Sequence, residues 1–324
     1  MSKNEIIGFL GSDWTDVMGL IRDALHSDID LLNATNDGLL THSGKMLRPM
    51  LSLLMARATG MEANADSRCF AAAVELLHNA TLLHDDVADE SMERRGFPTV
   101  NARFGSPAAV LVGDFWLARA VEVVIEAKAH ADSVITLFSK TLTDLAEGEM
   151  LQLEKASSAD TAYEDYFRII HCKTASLFEA ACVSAAVSVD CPDSYREAAA
   201  AYAREAGIAF QIKDDILDYA GGADLGKPLG IDLKEQKITL PLLCALEGSR
   251  REAEIRGMVR DIKSHPEYCD AVRAFVDERD GVAKAAASLD VHIERAVRAL
   301  DVLPDSRARD YLVQLVRFNA FRQA

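Results

Sequence analysis

Helical periodicity runs through most of the chain, and many of the predicted helices are apolar on more than one face. Helices of that kind belong in the interior of a large bundle, where every face meets another helix. From Asp66 to His84 the residues Phe70, Val74, Leu77 and Thr81 follow three- and four-residue steps. Ser106-Pro107 can cap and open a helix through AAVLVGDFWLARAVEVVIEA, with the proline in the first turn. Further helices are predicted over residues 132–155, 162–189 and 193–219, and amphipathic ones fill the C-terminal quarter. Alternating strand patterns are short and few, Ala and Leu recur throughout, and only 8 prolines occur among 324 residues. The fold class is therefore all-α. No low-complexity linker or composition break divides the chain, so a single domain over residues 1–324 is expected.

A formal net charge of -16 excludes nucleic acid as a default partner, because a phosphate backbone calls for a basic footprint. Cys69, Cys172, Cys182, Cys191, Cys244 and Cys269 show neither a CxxC pair nor a regular spacing, which reads as buried, reduced thiols. The start, MSKNEIIGFLGSDW, lacks a signal peptide's apolar core, and no run reaches the roughly 18 apolar residues of a membrane span. A cytoplasmic protein is expected, with any membrane contact peripheral.

The run LLHDDVADESMERRG (82–96) carries the first chemistry. Its DDxxD, Asp85, Asp86 and Asp89, closes a long apolar helix. Residues four apart share a helix face, so Asp85 and Asp89 point the same way and Asp86 is turned aside. A solvated helix end is one reading. A cation between the two carboxylates is the other, and hard carboxylate oxygens suit Mg²⁺, which also takes phosphate oxygens. Arg94 and Arg95 follow at once and supply groups for the remaining phosphate charge. The same word returns in FQIKDDILDY as Asp214, Asp215 and Asp218, again at the end of an apolar helix. Two such ends can face one another across a bundle, and neither contains the His or Cys of a zinc site.

With these motifs the chain resembles the trans-isoprenyl diphosphate synthases, the polyprenyl synthetase family. The resemblance runs from GKMLRP (44–49) through HNATLLHDDVADESMERRG, GDFWLARA, EGEMLQL, KTASLF and FQIKDDILDY to GKPLGIDLKEQKITLP (226–241), in the family's order. It implies helices around a deep central cavity, a homodimer, and condensation of isopentenyl diphosphate with an allylic diphosphate. Asp85 and Asp89 match the Mg²⁺ ligands of the first motif and Asp214 that of the second. Asp218 completes the second motif, acting, like Asp86 and Asp215, from the outer shell or through water. Arg94, Lys173, Lys227 and Lys237 match contacts to the allylic diphosphate. Lys45, Arg48 and Arg95 match contacts to isopentenyl diphosphate. His78 matches a substrate contact that hydrogen-bonds rather than exchanges protons, Gln211 a polar group near the allylic substrate, and Thr174 a donor to its diphosphate or to its own backbone. The glycine-rich stretch around Gly226 and Gly230 reads as a closure over diphosphate. Ser43 and Gln236 stand where the family pattern has Gly, and Lys213 where it has an apolar residue.

Product length should be set on the helix before Asp85. Thr81 and Ala80 lie four and five residues before the motif, where short-chain members of the family carry a bulky aromatic floor. Both are small here, Leu77, Val74 and Ala73 beyond them are moderate, and FEAACVSAAV (178–187) offers a second wall of small side chains. A long-chain product, around octaprenyl or decaprenyl, is expected, delivered to a membrane or lipid carrier because it is so apolar. The alternative is a shorter geranylgeranyl or farnesyl product. A terpene cyclase would lack the GKxxRP and GKPxG lysines, and a non-catalytic partner subunit would commonly have lost the aspartates.

Overall fold

The structure, a computed structural model, describes residues 2–42, 44–220 and 230–320. In chain order the helices open with α1 (Lys3–Leu10), α2 (Ser12–Ala24), α3 (Asp30–Thr41), α4 (Leu47–Ala58) and α5 (Ala65–Ala88). A two-residue antiparallel pair, β1 (Glu93–Arg94) and β2 (Phe97–Pro98), precedes α6 (Val100–Phe104) and α7 (Ser106–Ile125). Then come α8 (Ala131–Ser158), α9 (Tyr163–Ile170), a π turn (His171–Ala175), α10 (Ser176–Ser188) and α11 (Asp193–Ala220). The chain continues with α12 (Ile231–Lys234), α13 (Leu240–Leu246), α14 (Glu252–Asp261) and α15 (Tyr268–Glu278). It closes with α16 (Gly281–Ala299) and α17 (Arg307–Ala320). The all-α expectation holds. Packing separates two compact units, residues 1–139, 180–199 and 302–312 in one, and residues 140–179, 200–301 and 313–324 in the other.

In the first unit α5 forms the core. Asn64 caps it, accepting from the Ser67 amide at 2.9 Å, and the Ser67 hydroxyl accepts from the Asn64 amide at 3.1 Å. Phe70, Ala71, Ala72, Ala73, Val74, Leu76 and Leu77 are all buried, as expected of a helix apolar on several faces. It packs along α4 and α7. The GDFWLARA motif contributes a close approach here. A Cβ on Gly113 would lie 2.4 Å from His84 Nε2, so only glycine leaves room for the ring, which sits 3.2 Å from the Asp114 carboxylate.

In the second unit the predicted helix over 162–189 divides into α9, the π turn and α10. The Ser176 amide bonds the His171 carbonyl, five residues back, and so widens the backbone at Lys173 and Thr174. Two glycines hold this turn from neighbouring helices. A Cβ on Gly148 of α8 would fall 2.7 Å from Cys172 Cβ and 3.0 Å from Lys173 Cγ, and one on Gly207 of α11 would fall 2.6 Å from Ala175 Cα. The turn is set by long-range contacts, which local periodicity does not register. Gly148→Ala is expected to lower stability by about 1–3 kcal/mol through overpacking, read as a lower midpoint in urea.

Among the described residues, no helix is long and apolar enough to cross a membrane.

Candidate active site

In the first unit, α5 delivers three aspartates to its C-terminal end, where the helix dipole is negative and carboxylates are unfavourable. Asp86 is buried and accepts from Arg94 Nε at 2.7 Å, which answers its charge. Burial raises the Asp86 carboxyl above the usual range, and Arg94 counters that shift. Asp85 is half-buried and Asp89, the C-cap, is exposed. The helical spacing therefore divides the motif as its register predicts, with Asp86 turned into the protein.

The chain after Asp89 reverses through a two-residue turn, Arg95-Gly96, both with positive φ, +56° and +83°. A left-handed arginine is strained by about 1–2 kcal/mol, and strain of this kind gathers where a side chain must be held in one place. The Arg95 guanidinium lies against Gly44. A Cβ on Gly44 would fall 2.5 Å from Arg95 Cζ, and Arg95 Nη1 donates to the His42 carbonyl at 3.3 Å. The GKMLRP segment and the second arginine of ERRG, expected to serve one substrate, are thus brought together. Lys45 is exposed and Arg48 half-buried in the first turn of α4. Burial draws Arg48 down to about 10, with Glu75 opposing and Arg95 adding to the shift, so it remains charged at neutral pH. His78 is drawn well below its ordinary value by burial and by Arg48, Arg95 and Arg94. It is therefore neutral at neutral pH.

Glu75 was not legible as part of this group. It is buried one turn before His78 and Asn79, and Asn79 Nδ2 donates to its Oε1 at 3.2 Å. Burial raises its carboxyl, while Arg48 opposes that shift. A glutamate inside an otherwise apolar stretch, VELLHN, was the available signal.

In the second unit Lys173 and Thr174 stand on the π turn. Lys173 Nζ pairs with Glu149 Oε1 at 2.5 Å, so EGEMLQL supplies both the glycine that admits this lysine and the carboxylate that holds it. Thr174 Oγ1 donates to Gln211 Oε1 at 2.8 Å, Gln211 Nε2 donates to Asp215 Oδ1 at 2.9 Å, and Tyr166 Oη donates to Asp215 Oδ2 at 2.6 Å. Asp214 is half-buried in the C-terminal part of α11. Asp218 accepts from the amides of Ile231 at 3.0 Å and Asp232 at 3.2 Å, capping α12. Lys237 pairs with Glu235, and its amide bonds the Asp232 carbonyl at 2.8 Å. Gln236, the departure from Gly, has φ +63°, so this is a position that favours glycine.

A pocket with about 130 Å³ of room is lined by Tyr166, Lys173, Thr174, Gln211, Asp215 and Lys237, among others. Carboxylates crowd it. Burial pushes Asp215 up to about 6, with Asp214 and Asp218 adding to the shift and Tyr166 and Gln211 opposing it. Burial likewise pushes Asp232 up to about 8, with Asp215 and Asp218 adding and Lys237 opposing. Ser43, Gly226 and Lys227 lie outside the described residues. On α5, Ala80 is buried and Thr81 half-buried, and Leu77 stands one turn further from Asp85.

An all-helical scaffold with aspartate-rich helix ends, an arginine cluster and a lysine-lined pocket defines a prenyltransferase of the isoprenoid-synthase kind. The sequence model of the family described as polyprenyl synthetase matches residues 29–276. An all-trans-nonaprenyl-diphosphate synthase (geranyl-diphosphate specific) of Rhodobacter capsulatus is 39% identical over 97% of this chain and 96% of its own. The octaprenyl diphosphate synthase of Escherichia coli (strain K12) is 37% identical over 97% of each chain. A crystal structure of a polyprenyl synthase from Caulobacter crescentus CB15, complexed with calcium and isoprenyl diphosphate, matches with a TM-score of 0.91. It is 34% identical and is covered to 98%, with all of this chain included. The chain belongs to the polyprenyl synthetase family.

Proposed function

We propose that this protein, working as a single catalytic domain, adds isopentenyl diphosphate head to tail to an allylic diphosphate and repeats the addition to a long all-trans chain. The observation that carries this reading is the pair of aspartate clusters near the C-terminal ends of α5 and α11, whose hard carboxylate oxygens are donors of the kind Mg²⁺ takes together with phosphate. The donor set fits Mg²⁺. Among the described residues no three His, Cys, Asp or Glu side chains converge as a closed cage, and Mg²⁺ is usually held by one or two carboxylates with water and substrate phosphate completing the shell. Asp85 and Asp89 on one helix, and Asp214 on the other, are the proposed ligands, with Asp218 acting from its capping position. Calcium with isoprenyl diphosphate in the Caulobacter crescentus structure supports a divalent-cation site.

Bound Mg²⁺ would neutralise the diphosphate as it departs. Arg94, Lys173, Lys237 and Lys227 take the allylic diphosphate, their positive charge stabilising it as the carbon–oxygen bond breaks. Lys45, Arg48 and Arg95 hold isopentenyl diphosphate, with neutral His78 hydrogen-bonding beside them. The allylic carbon becomes a cation, the isopentenyl double bond attacks it, and the departing diphosphate takes the proton that is lost. Small residues at Ala80 and Thr81, with Leu77 beyond, set the length. A homodimer is part of the reading. Val110, Leu111 and Ile125 are exposed on α7, and a second copy would remove that apolar surface from water. The apolar product leaves through peripheral contact with a membrane, and the enzyme itself is cytoplasmic.

The test is incubation with isopentenyl diphosphate and a series of allylic primers, with products sized by mass spectrometry. Long prenyl diphosphates are expected, with EDTA stopping the reaction and Mg²⁺ restoring it. Turnover that persists in EDTA would remove the metal from this account.

A further inference from the structure

Both oxygens of Asp215 are engaged inside the protein. Tyr166 Oη donates to one at 2.6 Å and Gln211 Nε2 to the other at 2.9 Å. We infer that Tyr166 is a positioning residue, whose phenol fixes the Asp215 carboxylate and through it the direction of the Gln211 amide and the Thr174 hydroxyl. This rests on the function proposed above and deepens it.

Gln211 turns its NH₂ toward Asp215 and its oxygen the other way. That oxygen lies 2.8 Å from Thr174 Oγ1, which leaves the hydroxyl one role, that of donor. The Thr174 proton is thereby committed to Gln211. What Thr174 offers the pocket is lone pairs, which suit a developing positive charge and not a diphosphate oxygen. The phenol serves as anchor because it keeps its proton. Tyr166 is buried, and burial with Asp215 beside it holds its acidity far from neutral. Without that bond the carboxylate can rotate and the amide can flip, and Thr174 is free to donate into the pocket.

A residue that merely filled space would act on stability. One that sets this line of hydrogen bonds acts on turnover, and does so through Thr174. Tyr166→Phe keeps the ring and removes only the oxygen. Loss of this buried hydrogen bond predicts a fall in kcat of about tenfold, with KM for isopentenyl diphosphate within about twofold of wild type. Thr174→Val should cost a similar factor, and the double variant no more than about twofold beyond either, because both break one chain. Multiplicative losses, or wild-type kcat in Tyr166→Phe, would overturn the inference. If Tyr166→Phe does not fold, Gln211→Leu with Thr174→Val runs the same cycle from the middle of the chain. The side-chain amide resonance of Gln211 needs no turnover and should shift in Tyr166→Phe. An unmoved resonance overturns the inference, whereas a wild-type protein that condenses no substrate overturns the proposed function.

Discussion

Asp85→Ala and Asp214→Ala are each expected to reduce turnover by about a thousandfold or more, on the scale of losing a principal electrostatic stabiliser of the departing charge. Helical content should be unchanged, and the melting temperature should stay close to that of the wild type. Asp85 lies in the last turn of α5, where a carboxylate opposes the macrodipole by about 0.3–1 kcal/mol, so the helix does not depend on it. Circular dichroism and a thermal melt beside steady-state assays measure both. Activity lost while stability is held or gained marks a residue kept for chemistry at the expense of the fold. Asp215→Ala provides the contrast, since it would strip Tyr166 and Gln211 of their acceptor inside the protein and should melt lower. Retained turnover in Asp85→Ala or Asp214→Ala would remove that residue from the proposed set of metal ligands.

What the sequence made legible was what helical geometry alone controls. The division of DDVAD into Asp85 and Asp89 on one face and Asp86 turned aside is a matter of about 100° per residue, and Asp86 alone of the three is buried, against Arg94. The bounds of α8 and α11 fall within a few residues of those expected. The π turn is another matter. HCKTASLF contains neither Gly nor Pro to mark a break, and the widening arises where Gly148 and Gly207 let two other helices close on the turn. The partners of the site residues were hidden for the same reason. Tyr166 is 49 residues from Asp215, and Glu149 has no local relation to Lys173. Glycine was the readable trace of these contacts, at Gly44, Gly113, Gly148 and Gly207, each inside or close to a motif and each where a Cβ would strike a neighbour.

Ala80→Phe and Thr81→Tyr are expected to shorten the product sharply, from the octaprenyl–decaprenyl range toward farnesyl or geranylgeranyl. Leu77, Thr81 and Asp85 succeed one another at four-residue steps, so a side chain at 81 lies one turn from the proposed site of chemistry. The two positions differ in a way that makes them a pair of tests. Thr81 is half-buried, its hydroxyl donating to the His78 carbonyl at 2.9 Å, so a larger side chain has somewhere to go. Ala80 has no exposed surface at all. A phenyl ring at 80 with no channel beside it would overpack the core and cost about 1–3 kcal/mol, lowering the melting temperature while the surviving enzyme made its usual product. A ring that enters a channel instead leaves stability nearly unchanged and stops the chain early. Mass analysis of the product and a melt of the same Ala80→Phe sample therefore separate a floor from a packing defect. Unchanged length in Thr81→Tyr would move the channel off this face of α5 altogether.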